Sequence, residues 1–173
     1  MNNTDNILNR IFNRLANGSS IMGGKTDKIS NTITTSNGVA YTSGDNVGGI
    51  ITITDALLKV DGTAILFDVE VWDKDDQKAA LTIDYWNASP SGTYTDNAAQ
   101  VIVGDSAKWL GRINITASDY ETTGAVATAI IRNIGLTVKG NGSANILFTI
   151  KTTGTPTYTS TSGLIVKHGF LQD

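Results

Sequence analysis

The stretch that most constrains the fold is Ala64–Trp86. It reads Ala-Ile-Leu-Phe-Asp-Val-Glu-Val-Trp, an Asp/Lys-rich turn from Asp73 to Lys78, then Ala-Ala-Leu-Thr-Ile-Asp-Tyr-Trp. Ile65, Phe67, Val69 and Val71 recur at every second position, with Asp68, Glu70 and Trp72 opposite them. Leu81, Ile83 and Tyr85 repeat the pattern against Thr82, Asp84 and Trp86. Successive side chains of an extended chain point to opposite faces, so this alternation of β-branched and aromatic residues predicts strands with one face in a core. The short polar segment between them predicts a hairpin.

Much of the remaining sequence follows the same rule. A strand is expected at Ile50–Ile53, with Leu57–Val60 continuing it beyond Asp55, and Val101–Val103 is a short apolar element. Lys108–Thr116 sets Trp109, Ile113 and Ile115 on one face. Ala125–Ile131, Ile134–Val138, Ile146–Ile150 and Leu164–Phe170 follow, the last with Leu164, Val166, His168 and Phe170 as its stripe. Asp61-Gly62, the Pro90- and Gly92-containing segment Asn87–Asn97, and Lys139–Ser143 read as turns or loops. No extended helical pattern separates the strands, which disfavours α/β folds. The expectation is an all-β head over residues 39–173: a single β-sandwich of seven or eight strands, of jelly-roll or Greek-key type, with an up-and-down barrel as the alternative.

Ahead of the head, residues 1–17 carry one amphipathic helix, Asp5–Ala16. Ile7, Leu8, Ile11, Phe12 and Leu15 form its apolar stripe, Thr4 or Asp5 caps its start, and Asn17-Gly18 stops it. A helix of about three turns is marginal alone in water, so the stripe calls for a partner surface. Docking on its own domain is one reading; oligomerisation or attachment to another protein is the other. Residues 18–38 are rich in Ser, Thr, Asn and Gly and read as a flexible linker or extended arm.

Composition narrows the function classes. A formal net charge of −3 gives no support to nucleic-acid binding, which concentrates Lys and Arg on one face. Cysteine is absent, which removes disulfides and thiolate zinc sites. Polar Asn9, Arg10, Asn13 and Arg14 interrupt the first apolar residues, so no signal-peptide core is expected. No run approaches the ~20 apolar residues that cross a bilayer, and no membrane role is expected.

Motifs with chemistry are few. Asp73-Lys-Asp-Asp76 opens like a calcium loop, but Lys78 stands where an EF-hand needs glycine and the flanks read as strands. A solvated turn is the better reading, and no metal or other cofactor is expected. His168, the sole histidine, lies on an apolar stripe and reads as a hydrogen-bonded core or interface residue. No Gly-x-Ser-x-Gly elbow accompanies it. Asp68, Glu70 and Asp84 fall on successive strands and would need to face one cleft for glycoside hydrolysis. Ordinary outward residues are the simpler account, and no enzyme activity is expected. Trp86, Tyr94 and Trp109, with Trp72, Tyr85 and Tyr158, could form a stacking platform for a surface glycan. Aromatics closing a sandwich core have the same sequence signature.

Several segments resemble a group of small virion proteins of tailed bacteriophages. They are Val39–Ile50 (Val-Ala-Tyr-Thr-Ser-Gly-Asp-Asn-Val-Gly-Gly-Ile), Asp84-Tyr-Trp-Asn-Ala-Ser-Pro90, Thr95-Asp-Asn97, Thr153–Ser162 and Leu171-Gln-Asp173. The resemblance covers about Val39 to Asp173 and carries no catalytic signature. It implies a head-associated structural protein of auxiliary, decoration or head-fibre type, located in the virion and present in repeated copies. A homo-oligomer, a trimer above all, fits the threefold positions of a capsid, with a capsid or other virion protein as partner. The apolar N-terminal stripe then suits attachment while the β head faces solvent.

Overall fold

The computed structural model describes residues 25–173. The helix expected over Asp5–Ala16, with the stripe Ile7, Leu8, Ile11, Phe12 and Leu15, lies outside the described residues. From Lys25 onward the alternating segments form nine strands. They are β1 (Lys25–Ile33), β2 (Asn46–Ile53), β3 (Thr63–Asp73), β4 (Leu81–Trp86), β5 (Trp109–Ile115), β6 (Tyr120–Thr123), β7 (Val126–Lys139), β8 (Ile146–Thr152) and β9 (Leu164–Gln172).

Their order follows from one nested antiparallel ribbon. β1 pairs with β9, β2 with β8, β3 with β7, and β4 with β5 at the tip. Rolling that ribbon lays β9 beside β3 and β8 beside β4. The result is a β1-β9-β3-β7-β6 sheet facing a β2-β8-β4-β5 sheet, which is jelly-roll order with β6 added at one edge. The expected sandwich is therefore of the jelly-roll type, with nine strands.

Alternation explains what fills the space between the sheets. Leu66, Val69 and Val71 of β3 and Val166 and Phe170 of β9 meet Ile83 and Tyr85 of β4 and Phe148 and Ile150 of β8, all fully buried. Burial of each such side chain contributes roughly 1.5–3 kcal/mol. The expected inward row of β3 holds for Val69 and Val71 and fails for Ile65 and Phe67. A register shift between Leu66 and Asp68 inverts the phase, so Ala64 and Leu66 point inward and Ile65 is exposed.

Other expectations change as well. β3 and β4 do not form a hairpin; they belong to opposite sheets. The Asp73 carboxylate shapes their connection by accepting hydrogen bonds from the backbone N–H of Asp75 (3.1 Å) and Lys78 (2.8 Å). Residues 25–33, assigned above to the arm, are edge strand β1, hydrogen-bonded along β9. Its Lys, Asp and Asn residues carry little strand propensity, and the free edge of β9 together with buried Ile33 overrides them. Val101–Val103 is an exposed loop segment outside the named strands, whereas Ala125–Ile131 and Ile134–Val138 merge into β7 across the positive φ of Asn133 and Gly135.

β2 starts at Asn46, before the expected Ile50, and carries a bulge at Gly48 and Gly49. At Gly48, φ is +80° and an added Cβ would sit 2.4 Å from Ile33 Cγ2. Only glycine lets β2 pass that close to the end of β1.

His168 lies in the core, as its stripe implies, between Phe148 (4.7 Å between centroids) and Tyr85 (5.6 Å, edge-on). The expected hydrogen bond is missing: among the described residues neither ring nitrogen finds a partner. Burial pushes the imidazole pKa down to about 3 from the usual 6.5. Because the unfolded chain takes up this proton first, stability present above pH 6.5 is lost as pH falls towards 3, by up to about 1.4 kcal/mol per pH unit. His168→Phe keeps a ring in the space and removes the titration. Urea unfolding at pH 7 and pH 5 is expected to show a smaller drop for the variant than for the parent chain; parallel drops would contradict a buried neutral imidazole.

Candidate functional site

The site grows from the connection between β4 and β5, residues 87–108. Polar residues with Pro90 and Gly92 cannot extend either strand, and the segment folds back along the outside of the four-stranded sheet. Bridges Asp45↔Ala99 and Asn46↔Asp96 tie it to the start of β2. The N–H of Asn97 donates to the carbonyl of Asn46 (2.9 Å), and that of Gln100 to the carbonyl of Gly44 (3.0 Å). Its two limbs close on each other through reciprocal Thr93–Val101 hydrogen bonds of 2.9 and 3.1 Å. An added Cβ on Gly92 would fall 1.8 Å from the Val101 carbonyl oxygen, so this closure requires glycine.

Asp96 fastens the connection to the loop before β2. Its carboxylate accepts from Ser36 Oγ (2.6 Å), the Tyr41 hydroxyl (2.7 Å) and the Gly48 N–H (2.7 Å). Burial, with the neighbouring Asp96 charge, pushes the Tyr41 phenol up to about 12. Tyr41 N–H donates to the Pro156 carbonyl and Gly38 N–H to that of Tyr158. Three of the segments that carry the phage resemblance, Val39–Ile50, Thr95–Asn97 and Thr153–Ser162, thus meet in one hydrogen-bonded assembly.

Covered this way, β4 is buried on both faces. Trp86 is only 1 % exposed; its Nε1 donates to Thr149 Oγ1 (3.1 Å) and its ring meets Tyr94 edge-on at 6.1 Å. Asp84 is fully buried, and Arg112 clamps it from Nε (2.8 Å) and Nη2 (3.0 Å). The hydrogen bond to Asp84 raises the pKa of the guanidinium above its ordinary value. Trp109, the cross-strand neighbour of Trp86, donates its Nε1–H to the same carboxylate at 3.0 Å. Trp109 as a whole is 45 % exposed. Between the two indoles and the loop lies a cleft of about 380 Å³, bordered by Trp86, Trp109, Ile102, Asp105, Ser106 and Arg112.

Of the three aromatics singled out as a ligand surface, Trp109 is exposed at the cleft, Trp86 forms the floor, and Tyr94 is buried behind Trp86. Trp72 is exposed on the other sheet, with Lys167 Nζ 4.3 Å from its ring centroid, and Tyr85 and Tyr158 are core residues. Arg112 and Ile102 were not singled out by sequence. The Asp84–Arg112 cross-strand pair would have indicated Arg112 once the β4–β5 register was known.

The carboxylates considered for catalysis do not share a cleft. Asp68 and Glu70 belong to the five-stranded sheet and Asp84 to the four-stranded one, with side chains on the outer faces. Burial alone would raise the Glu70 pKa, but hydrogen bonds from Lys167 (2.8 Å), Lys28 (2.6 Å) and the Trp72 indole outweigh it and hold the carboxyl at about 2. The acidic turn is also committed: Asp73 holds backbone amides, Asp75 accepts from Thr159, and Asp76 accepts from Thr122.

No protein-family model matches the chain, and no curated protein sequence does. Among solved structures, the chain is similar to the tomato aspermy virus structure at 7 % identity, over 95 % of this chain and 92 % of that one, with a TM-score of 0.37. It is similar to the virus-like particle of the giant freshwater prawn (Macrobrachium rosenbergii) extra small virus at 14 % identity, over 89 % and 82 %, with a TM-score of 0.30. A xylan-binding module is similar at 14 % identity over 87 % and 99 %, with a TM-score of 0.30. These are loose likenesses of β architecture, and nothing about the site rests on them.

The Asp84 clamp makes a specific demand. Arg112→Met leaves a carboxylate buried with the Trp109 indole but no cation. A cost of roughly 2–3 kcal/mol is expected, below the range for a fully buried pair because the Arg112 side chain is 38 % exposed. Adding Asp84→Asn to the same chain is expected to recover much of it. Denaturant unfolding of both variants checks this, and equal stability of the single variant and parent would show that the pair is not structural.

Proposed function

We propose that the chain is a structural protein of a tailed-phage virion, carried on the capsid surface as an oligomeric decoration or head-fibre component. The nested jelly-roll pairing of β1 with β9 through β4 with β5 carries this reading, since viral capsid and lectin domains share that architecture. Fold alone does not assign function. The second support is the sequence resemblance, whose segments here serve to lock loops together. Glu70 and Asp84 point the same way: each is neutralised by a basic partner, an arrangement suited to holding a surface rigid rather than to proton transfer.

In this reading the head faces solvent, and attachment or trimerisation falls to the stripe Ile7, Leu8, Ile11, Phe12 and Leu15. The chain passes into the head at edge strand β1, so a deletion testing attachment must stop at residue 24 to spare that strand. A carbohydrate- or receptor-binding module displayed on the same particle is the second reading, favoured by the Trp109 cleft.

Mass measurement in solution and electron imaging of particles prepared with and without the protein provide the test. The full chain is expected to be an oligomer and to add regular surface density. The chain lacking residues 1–24 is expected to keep its far-UV circular dichroism and lose attachment. A full-length monomer that adds no density would overturn the virion reading, and unchanged binding and mass after the deletion would overturn the role of the stripe.

A further inference from the structure

We infer that the cleft between Trp109 and Ile102 is a binding site for an uncharged pyranose of a surface glycan. The inference rests on the second reading above and deepens it by naming the class of ligand.

Three features of the cleft lead there. Its platform is fixed in advance: the exposed Trp109 indole is held through Nε1 by Asp84, which Arg112 clamps in turn. A ring that cannot swing away loses little freedom when something stacks on it, and preorganisation of this kind raises affinity without adding contacts. The negative face of an indole complements the C–H-rich face of a pyranose, whose hydrogens carry slight positive charge.

The second feature is charge. Arg112 is paired with Asp84 and Lys108 with Asp105, so the acidic and basic groups around the cleft cancel. No net field draws an anion or a cation, which selects against uronic and sialic acids and for neutral sugars. The third is the rim. Arg112 spends Nε and Nη2 on Asp84, leaving further N–H donors on a side chain 38 % exposed. The Ser106 hydroxyl and the Asp105 carboxylate, which also accepts from the Ser91 N–H and hydroxyl, supply polar atoms beside the apolar platform. Donors and acceptors around an aromatic face match the hydroxyls that ring a pyranose. At about 380 Å³ the cleft falls within the range of small-ligand sites, roughly 300–1,000 Å³.

The test uses the full chain on an array of neutral gluco-, galacto- and xylo-oligosaccharides, with uronic and sialylated oligosaccharides for comparison, followed by tryptophan-fluorescence titration of the hits. Binding to a neutral oligosaccharide is expected, weakened by about tenfold or more in Trp109→Ala and unchanged in Trp72→Ala, whose ring lies on the other sheet. Ile102→Glu, in an exposed loop away from the Asp84 clamp, is expected to weaken binding in the same way, so the outcome does not depend on how well Trp109→Ala folds. Binding confined to the anionic sugars would overturn the ligand class and leave a binding module standing. Absence of glycan binding would overturn both. A fall in oligomeric mass in Trp109→Ala and Ile102→Glu, without glycan binding, would assign the cleft to a protein interface and overturn the inference.

Discussion

The constraint behind this structure is the pairing of strands far apart in sequence. β1 and β9 lie at opposite ends of the described chain, yet they are hydrogen-bonded along their length, and each inner pair repeats the arrangement. None of these pairs except β4 with β5 joins strands consecutive in sequence. Most must close a long loop before any ladder forms, an entropic cost offset only when two faces of alternating apolar side chains meet. Register shifts at Gly48–Gly49, between Leu66 and Asp68, and between Tyr85 and Trp86 adjust the strands where straight pairing would misplace the core.

Period-two alternation made the class of fold legible. Leu81, Ile83, Tyr85, Ile113, Ile115, Ile146, Phe148 and Ile150 all lie in the core where their spacing predicts. Strand partners were not legible, because alternation states which face is apolar and says nothing about which strand lies alongside. That is why Ala64–Trp86 reads as a hairpin and folds as two strands in separate sheets. The β3 bulge hid the exposure of Ile65, and β1 went unrecognised because its stabilisation comes from the open edge of β9 rather than from its own residues.

The cleft was legible in part for a related reason. Aromatic residues mark Trp86, Tyr94 and Trp109, but whether a ring is floor, wall or filling depends on how residues 87–108 fold over the sheet. That connection converts the outer face of β4 into a second, smaller interior. A carboxylate there survives without water because a guanidinium and an indole meet it with directed hydrogen bonds. The same bonds hold Trp109 in place, so a structural ion pair and a surface platform are one device.

The pairing of Lys25 with Gln172 bears on how the molecule can be engineered. Neighbouring strands stand about 4.8 Å apart, so a reporter fused after Asp173 would emerge beside the backbone leading to residues 1–24. Cargo meant for display is better inserted at the exposed Gly124–Ala125 turn between β6 and β7, at the edge of that sheet away from β1, where neither β1 nor β9 has to accommodate it.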